Sequence, residues 1–275
     1  MYFDITHAFR TLPIFELLVM RYLNEVQQKK ANIVMVSYGM FDAQRDGVTP
    51  IVDIKRLLGI MDHLNAASEY QRFGTLYTLL DLQETGAEHD DFNDLRNMSE
   101  WTSINNINAL KRFIGKAHGK ANNPDPAPSE TDLLLQQVYL DIAKHFPDQD
   151  DDMLLSLSLA RWHFDKRRYL HALIVPQESL ITFALSVCGE KNIDEYRVRQ
   201  DYRERLHGLG RRHDLGMIFY KLSKLRNQIV HGSLNHQAND SITIKIDGIL
   251  KELKTIYETK YKDKRQQEAL SRLLQ

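Results

Sequence analysis

The chain has 275 residues, 43% of them apolar and 27% charged, with a formal net charge of −1 and a single cysteine. Such a composition supports a buried core in one large or two modest domains, and it excludes a disordered, collagenous or disulfide-stapled chain. No apolar run approaches the ~18 residues of a membrane span, and the start lacks a basic-then-apolar leader. A reducing cytoplasm, with no membrane partner, is the expected setting.

From the N-terminus, Tyr2–Ile5 predicts a short strand running into a turn at Thr6–Arg10. Residues 12–29 follow as an amphipathic helix with Ile14, Leu17, Leu18 and Val26 among its apolar positions. Ile33–Val36, closed by Gly39, has the composition of a strand buried on both faces, and Ile51–Ile54 after Pro50 predicts another. Strand, helix, strand at this spacing predicts a βαβ unit and a parallel sheet, too small to cover both of its faces unaided. From 55 to about 118 the pattern is mostly helical, broken at Thr85-Gly86 and by the acidic stretch Glu88–Asp94. Asn122–Ser129 carries Pro124, Pro126 and Pro128 at alternate positions, which no helix accommodates, and it reads as a linker. Ser129 or Thr131 then caps a helix carrying Leu133–Ala143.

Beyond the acidic Asp148–Asp152, helices are predicted over 151–164, 167–188 (kinked at Pro176), 193–206 and 215–231. Cys188 reads as a small core residue on an apolar helix face. His207–His213 forms a basic, glycine-marked loop, and Ser241–Ile246 alternates apolar and polar as a small strand does. One or two basic helices over 247–273 close the chain. The predicted fold class is mixed and mostly α: a small partial α/β segment over 1–60, a helical connector over 61–147 with the Pro-rich linker near 122–130, and an all-α helical bundle over 148–275.

Charge divides along the same lines. Residues 1–150 hold 14 basic and 21 acidic side chains, net −7, whereas residues 151–275 hold 22 and 16, net +6. A near-neutral protein thus contains a basic half, the footprint of a phosphate-backbone partner. Much of the excess lies in Arg203, Arg205, Arg211, Arg212, Lys221 and Lys224, which are the candidate RNA contacts. The same residues also fit an ordinary solvated face.

Just beyond them stands Arg226-Asn227-Gln228-Ile229-Val230-His231-Gly232. Ile218, Leu222, Leu225 and Ile229 recur at helical spacing, so the string occupies the end of a helix, with Gly232 as its stop. An arginine grips phosphate bidentately and a histidine exchanges protons near neutral pH. Five residues of ideal helix would set them about 140° apart, so both reach one cavity only if the helix ends between them. Read alone, the string more often marks a helix C-terminus that attracts cations.

Leu225–His231 resembles the R-x4–6-H signature of HEPN ribonucleases, including the polar residue after the arginine. The chain start, Tyr2–Pro13, resembles the D-x-T-H-G signature of CRISPR-associated CARF–HEPN effectors. Arg161-Trp162-His163-Phe164 and Tyr169-Leu170-His171-Ala172-Leu173 are similar to the opening HEPN helices of that family. The resemblance implies a Rossmann-like CARF segment followed by a HEPN bundle. It also implies a metal-independent endoribonuclease that cleaves single-stranded RNA to 2′,3′-cyclic phosphate ends, in antiviral defence. Arg226, Asn227 and His231 would be catalytic, in a cleft shared by a homodimer. Glu178 resembles the acidic residue that neutralises the motif arginine in HEPN bundles. Asp4, Thr6, His7 and Arg10 would contact a cyclic oligoadenylate activator, and no other cofactor is implied. Two departures stand out. Position 8 is Ala where the family has Gly, and the D-x-T-H-G signature opens this chain instead of lying midway through a CARF domain. A C-terminal piece, a shortened relative or half of a split protein is therefore expected.

Other chemistries are disfavoured. His231 and His236 bracket a loop but no further ligand-type cluster accompanies them, so no metal is expected. Neither a phosphate-cradling G-x-x-x-x-G-K loop nor a G-x-S-x-G elbow occurs. The alternative to an enzyme is a non-catalytic HEPN/CARF-like module that binds nucleotide, RNA or a partner protein.

Overall fold

Apolar residues at helical spacing dominate the C-terminal two thirds of the sequence, and the architecture follows from burying them. The computed structural model describes residues 2–4, 18–20, 22–23, 34–53, 55–83, 90–126, 130–147, 150–232 and 239–275. These form two compact units, Met1–Ala66 and Ala67–Gln275.

The first unit is built on a three-stranded sheet of order β1 (Tyr2–Asp4), β2 (Met35–Gly39) and β3 (Ile51–Asp53). β1 and β2 pair in parallel, as a strand–helix–strand unit requires. Of the expected helix over 12–29, Leu18–Met20 is helical, and most of the rest lies outside the described residues. β2 and β3 pair antiparallel, against the parallel sheet expected. The reason is local. Arg45 and Val48 bridge across Asp46 and Gly47, whose φ values of 51° and 77° are those of a hairpin turn. Ten or so residues cannot make the crossover that a parallel partner needs. Nor is β2 buried along its length: Val36 is buried, but Tyr38, two residues on along the same face, is 37% exposed.

α1 spans Arg56–Phe73. The second unit continues with α2 (Tyr77–Gln83), α3 (Asp90–Ser103), α4 (Ile107–Asn122) and α5 (Glu130–His145). The linker prediction agrees with the end of α4 at Asn122, while 127–129 lie outside the described residues. Then come α6 (Asp152–Asp165), α7 (Tyr169–Val187), α8 (Tyr196–Gly208), α9 (Asp214–Val230), α10 (Asn239–Ile256), a π-turn at Tyr257–Tyr261 and α11 (Lys264–Leu274). α7 is the hub: it packs against α6, α8, α9, α10 and α11. It runs through Pro176 as one helix. By length and composition alone α7 could cross a membrane, yet half of that apolar window is buried within the unit.

The strand predicted over Ser241–Ile246 is instead part of α10. Ile242, Ile246, Ile249, Leu250 and Leu253 are buried at i, i+4, i+7, i+8 and i+11, while Ile244 is 71% exposed. The alternation of three isoleucines was incidental, and the longer helical period wins because it continues for three turns.

Two polar clusters lie inside the bundle. Lys166, at the end of α6, is almost fully buried and meets Asp141 of α5 at 3.0 Å, while Tyr70 of α1 donates to the same carboxylate at 2.9 Å. Burial pushes the Asp141 carboxyl up, but hydrogen bonds from His145 and Lys166 outweigh it and hold the group well below the usual carboxylate range. His163 is fully buried between the rings of Trp162 and His171, and among the described residues neither ring nitrogen has a hydrogen-bond partner, although the Thr102 backbone approaches. Burial, then the charges of Arg168 and His171, push its pKa down to about 2.

A depressed histidine binds its proton in the unfolded chain before it does so in the native state. Its contribution is therefore present above pH ~6.5 and is lost as pH falls from there toward its folded value, at up to about 1.4 kcal/mol per pH unit. We expect His163→Phe to flatten the fall in melting temperature between pH 6.5 and 4.5, a window in which Asp141 contributes little. Calorimetry of both proteins across that range is the check, and an unchanged slope would contradict the assignment.

Candidate active site

α9 carries the motif, and its sequence explains its placement. Leu215, Ile218, Phe219, Leu222 and Leu225 are buried along one face. The helix start is pinned: Tyr261 donates to Asp214 Oδ1 at 2.7 Å and Lys260 Nζ lies 2.5 Å from Oδ2, with the acid favourably placed in the first turn. Gly216 lets the Leu209–Gly210 backbone rest on that first turn. A Cβ there would lie 2.4 Å from the Gly210 carbonyl oxygen.

The far end closes as the sequence predicts. α9 stops at Val230, His231 is the C-cap with φ −90° and ψ 5°, and Gly232 follows at φ 59°. His231 N–H donates to the Asn227 carbonyl at 2.9 Å. The helix thus runs four residues past Arg226 and ends immediately before His231, whose N–H still makes the helical bond. His231 and Asn227 are exposed and Arg226 is half-buried. Asn227 Oδ1 accepts from Arg226 Nε at 3.2 Å and from its Nη2 at 2.8 Å, so the amide orients the guanidinium. No hydrogen bond or ion pair joins Arg226 to His231 among the described residues.

No ion pair joins Glu178 to Arg226 among the described residues. One oxygen takes Arg199 at 2.8 Å and the other takes Arg203 at 2.6 Å, which ties α8 to α7. The six basic residues proposed as RNA contacts divide accordingly. Arg203 is held by Glu178, Arg205 lies 2.8 Å from Asp201, and Lys221 lies 2.7 Å from Glu252. Arg211 stacks 4.2 Å over Tyr220 and donates to its hydroxyl. Arg212 and Lys224 are exposed and carry no ion pair among the described residues.

Sequence reasoning passed over His207, in the last turn of α8. Its ring meets Phe219 edge-on at 4.8 Å. Burial, then Arg203 and Arg226, pushes its pKa down. Its only signal in the sequence was its place at the head of the glycine-marked loop. Of the oligoadenylate candidates, Asp4 ends β1 opposite Ser37 of β2, whereas Thr6, His7 and Arg10 lie outside the described residues, as does His236. A cavity of about 230 Å³ lies elsewhere in the second unit, lined by Tyr70, Gln71, Gln137, Asp141 and Lys144 among others.

No known family profile matches the chain. It is similar to the CRISPR-associated protein MJ1674 of Methanocaldococcus jannaschii, at 23% identity over 251 residues that take in 87% of this chain and 38% of that protein. The chain thus spans well under half the length of this relative. The likeness supports an association with CRISPR systems and leaves activity open.

Two glycines test how the site is built. Gly232→Ala should cost about 1 kcal/mol, the penalty for an L-residue at positive φ. Gly216→Ala should cost more, ~1–3 kcal/mol, because the clash is with backbone and overrides the helix-propensity gain of alanine. Denaturant melts of the two variants should rank them in that order.

Proposed function

We propose that the chain is a metal-independent endoribonuclease that cleaves single-stranded RNA in CRISPR-linked antiviral defence. The observation that carries this reading is the helix end: Asn227 holds the Arg226 guanidinium while the chain breaks out of helix and sets His231 exposed one residue beyond it. The RNA's own 2′-hydroxyl attacks the neighbouring phosphorus, leaving a 2′,3′-cyclic phosphate and a 5′-hydroxyl. Arg226 binds the scissile phosphate and stabilises the charge that develops on it. His231 transfers a proton. The likeness to a CRISPR-associated protein supports the biological setting.

An exposed Arg/His pair excludes little water alone, so the reading includes a homodimer in which a second copy completes the cleft. Asp4, Thr6, His7 and Arg10 are proposed as part of a cyclic oligoadenylate contact that activates it. A second reading, a non-catalytic module that binds nucleotide, RNA or a partner protein, draws on the internal pairing of most of the basic side chains near the motif.

Cleavage of a labelled single-stranded RNA decides between the two. His231→Ala should lower kcat/KM by ~10²–10⁴-fold with melting temperature unchanged. Arg226→Lys should also fail, because an ammonium lacks the planar fork. EDTA should leave the wild-type rate unaltered, and products should carry cyclic phosphates. Activity that survives both substitutions, or that EDTA abolishes, refutes the mechanism.

Binding of RNA to the His231→Ala protein tests the charge assignment. If Arg212, Lys224 and Arg226 are the free cations, log K against log salt should have a slope near −2, against about −5 were all seven basic residues engaged. Lys224→Ala should lower the slope by about 0.7 and Lys221→Ala should leave it unchanged.

A further inference from the structure

Arg168 stands between α6 and α7 as the N-cap of α7, half-buried, with its guanidinium 5.9 Å from the Trp162 ring and its Nη2 donating to Ser103 Oγ at 3.1 Å. No carboxylate pairs with it among the described residues. Glu100 of α3 accepts instead from the Tyr77 hydroxyl, at 3.3 Å. Burial pushes the Arg168 pKa down, with Tyr77 opposing. A charge drawn partly out of water is costly without a counter-ion. Other buried or half-buried cations of the bundle have one: Lys166 meets Asp141, and Arg203 meets Glu178.

The surroundings add to the positive potential. No side chain caps α7, and its first turn holds no acid. The helix's first bond runs from the Ala172 N–H to the Arg168 carbonyl at 3.0 Å, so the N–H groups of Tyr169, Leu170 and His171 are left without an acceptor among the described residues. They form the positive end of a 19-residue helix. His171, on the same turn, is half-buried, and burial and then Arg168 push its pKa down against the pull of the Ser103 backbone. Behind it His163 is fully buried, its ring 5.1 Å from that of His171 and both its nitrogens unengaged among the described residues. A guanidinium, a helix dipole and two imidazoles thus converge with no anion among them. The place of the cluster in the bundle follows from two contacts. Phe183 meets the Tyr261 ring at 6.1 Å, and Tyr261 donates to Asp214 at the start of α9, whereas Gln177, earlier on α7, bonds Ser223, later on α9. The two helices run antiparallel, so the start of α7 lies at the end of the bundle that carries Arg226 and His231.

We propose that Arg168, Ser103, His171 and the first turn of α7 form a binding site for a phosphate monoester group. Three free N–H groups and a guanidinium match the three terminal oxygens of a monoester better than the two free oxygens of a diester within a strand. A dianion also offsets both the arginine and the helix dipole, which a singly charged diester does only in part. Ser103 Oγ accepts from Arg168 and so retains its own proton to donate. The site stands apart from the Arg226/His231 motif and does not depend on the nuclease reading. The phosphate group is either free in solution or the terminus of a nucleotide or RNA, and the test separates the two.

The full chain is titrated with inorganic phosphate, and separately with a short 2′-O-methyl RNA carrying phosphates at both ends or at neither, while the His171 ring is followed by NMR. A bound phosphate should shift the His171 resonances saturably and raise the pKa of the ring, because an adjacent anion favours the imidazolium. Arg168→Gln should weaken binding ~10–100-fold, the loss expected for a charge-assisted contact. Arg168→Lys, which keeps the charge and loses the fork, should fall between the two and guards against a folding defect. In phosphate-free buffer Arg168→Gln should melt no lower than wild type, since it removes an unanswered cation. Phosphate should then raise the melting temperature of the wild type and not that of the variant. A response to inorganic phosphate identifies the free group as a ligand, and a response to the end-phosphorylated RNA alone identifies the terminus of a strand. A His171 ring unmoved by any of the three ligands, equal affinity in Arg168→Gln, or the same response to chloride at matched ionic strength overturns the assignment and leaves the nuclease reading untouched.

Discussion

Two consecutive residues of α7 fix where the motif stands. Gln177, 1% exposed, donates to Ser223 of α9 at 3.0 Å, and Glu178 beside it binds two arginines of α8. An amide inside an apolar core tolerates only the register that satisfies it, since an unpaired buried polar group costs ~1–3 kcal/mol. Ser223 sits between Leu222 and Leu225, one turn before the motif. The slide and rotation of α9 on α7 are therefore set by a hydrogen bond, with packing filling in around it. Among the described residues Gln177 Oε1 has no partner, so within them the amide is held from its nitrogen side alone.

The same pair of residues brings α8 and α9 together. Arg199, Arg203 and His207 recur at i, i+4 and i+8 along α8, with the first two drawn onto Glu178 and the third onto Phe219. A glutamate that the HEPN resemblance would assign to the motif arginine instead aligns a neighbouring helix, and that arginine is steadied by the amide next to it in the chain. Arg226 is thus held by a local contact, and His207 by a tertiary one.

That division explains what was legible in the sequence. The end of α9 was readable because everything that makes it is local: the apolar spacing of Ile218, Leu222 and Leu225, and a glycine where φ turns positive. The mostly helical character of the chain and the linker after Asn122 were readable for the same reason. Ser241–Ile246 misled because six residues fit two periods, and only the buried positions through Leu253 decide between them. The antiparallel β3 was legible in Asp46-Gly47, a hairpin signal overlooked in favour of the βαβ pattern. Net charge was the least informative guide. A count of +6 cannot distinguish Lys221, spent on Glu252, from Lys224 three residues on, which is open. Pairing is a property of tertiary contacts, and composition does not carry it.

The hold of Asn227 on Arg226 has a stereochemical consequence. The amide oxygen takes Nε and Nη2 together, which occupies one long edge of the guanidinium. What remains open is the fork formed by the two terminal nitrogens and the outer N–H of Nη1. An arriving oxyanion is restricted to that end, and the plane of the fork is dictated by the rotamer of the neighbouring residue. The angle of approach, and so which non-bridging oxygen of a prochiral phosphate is grasped, would then be decided by an asparagine that never touches it.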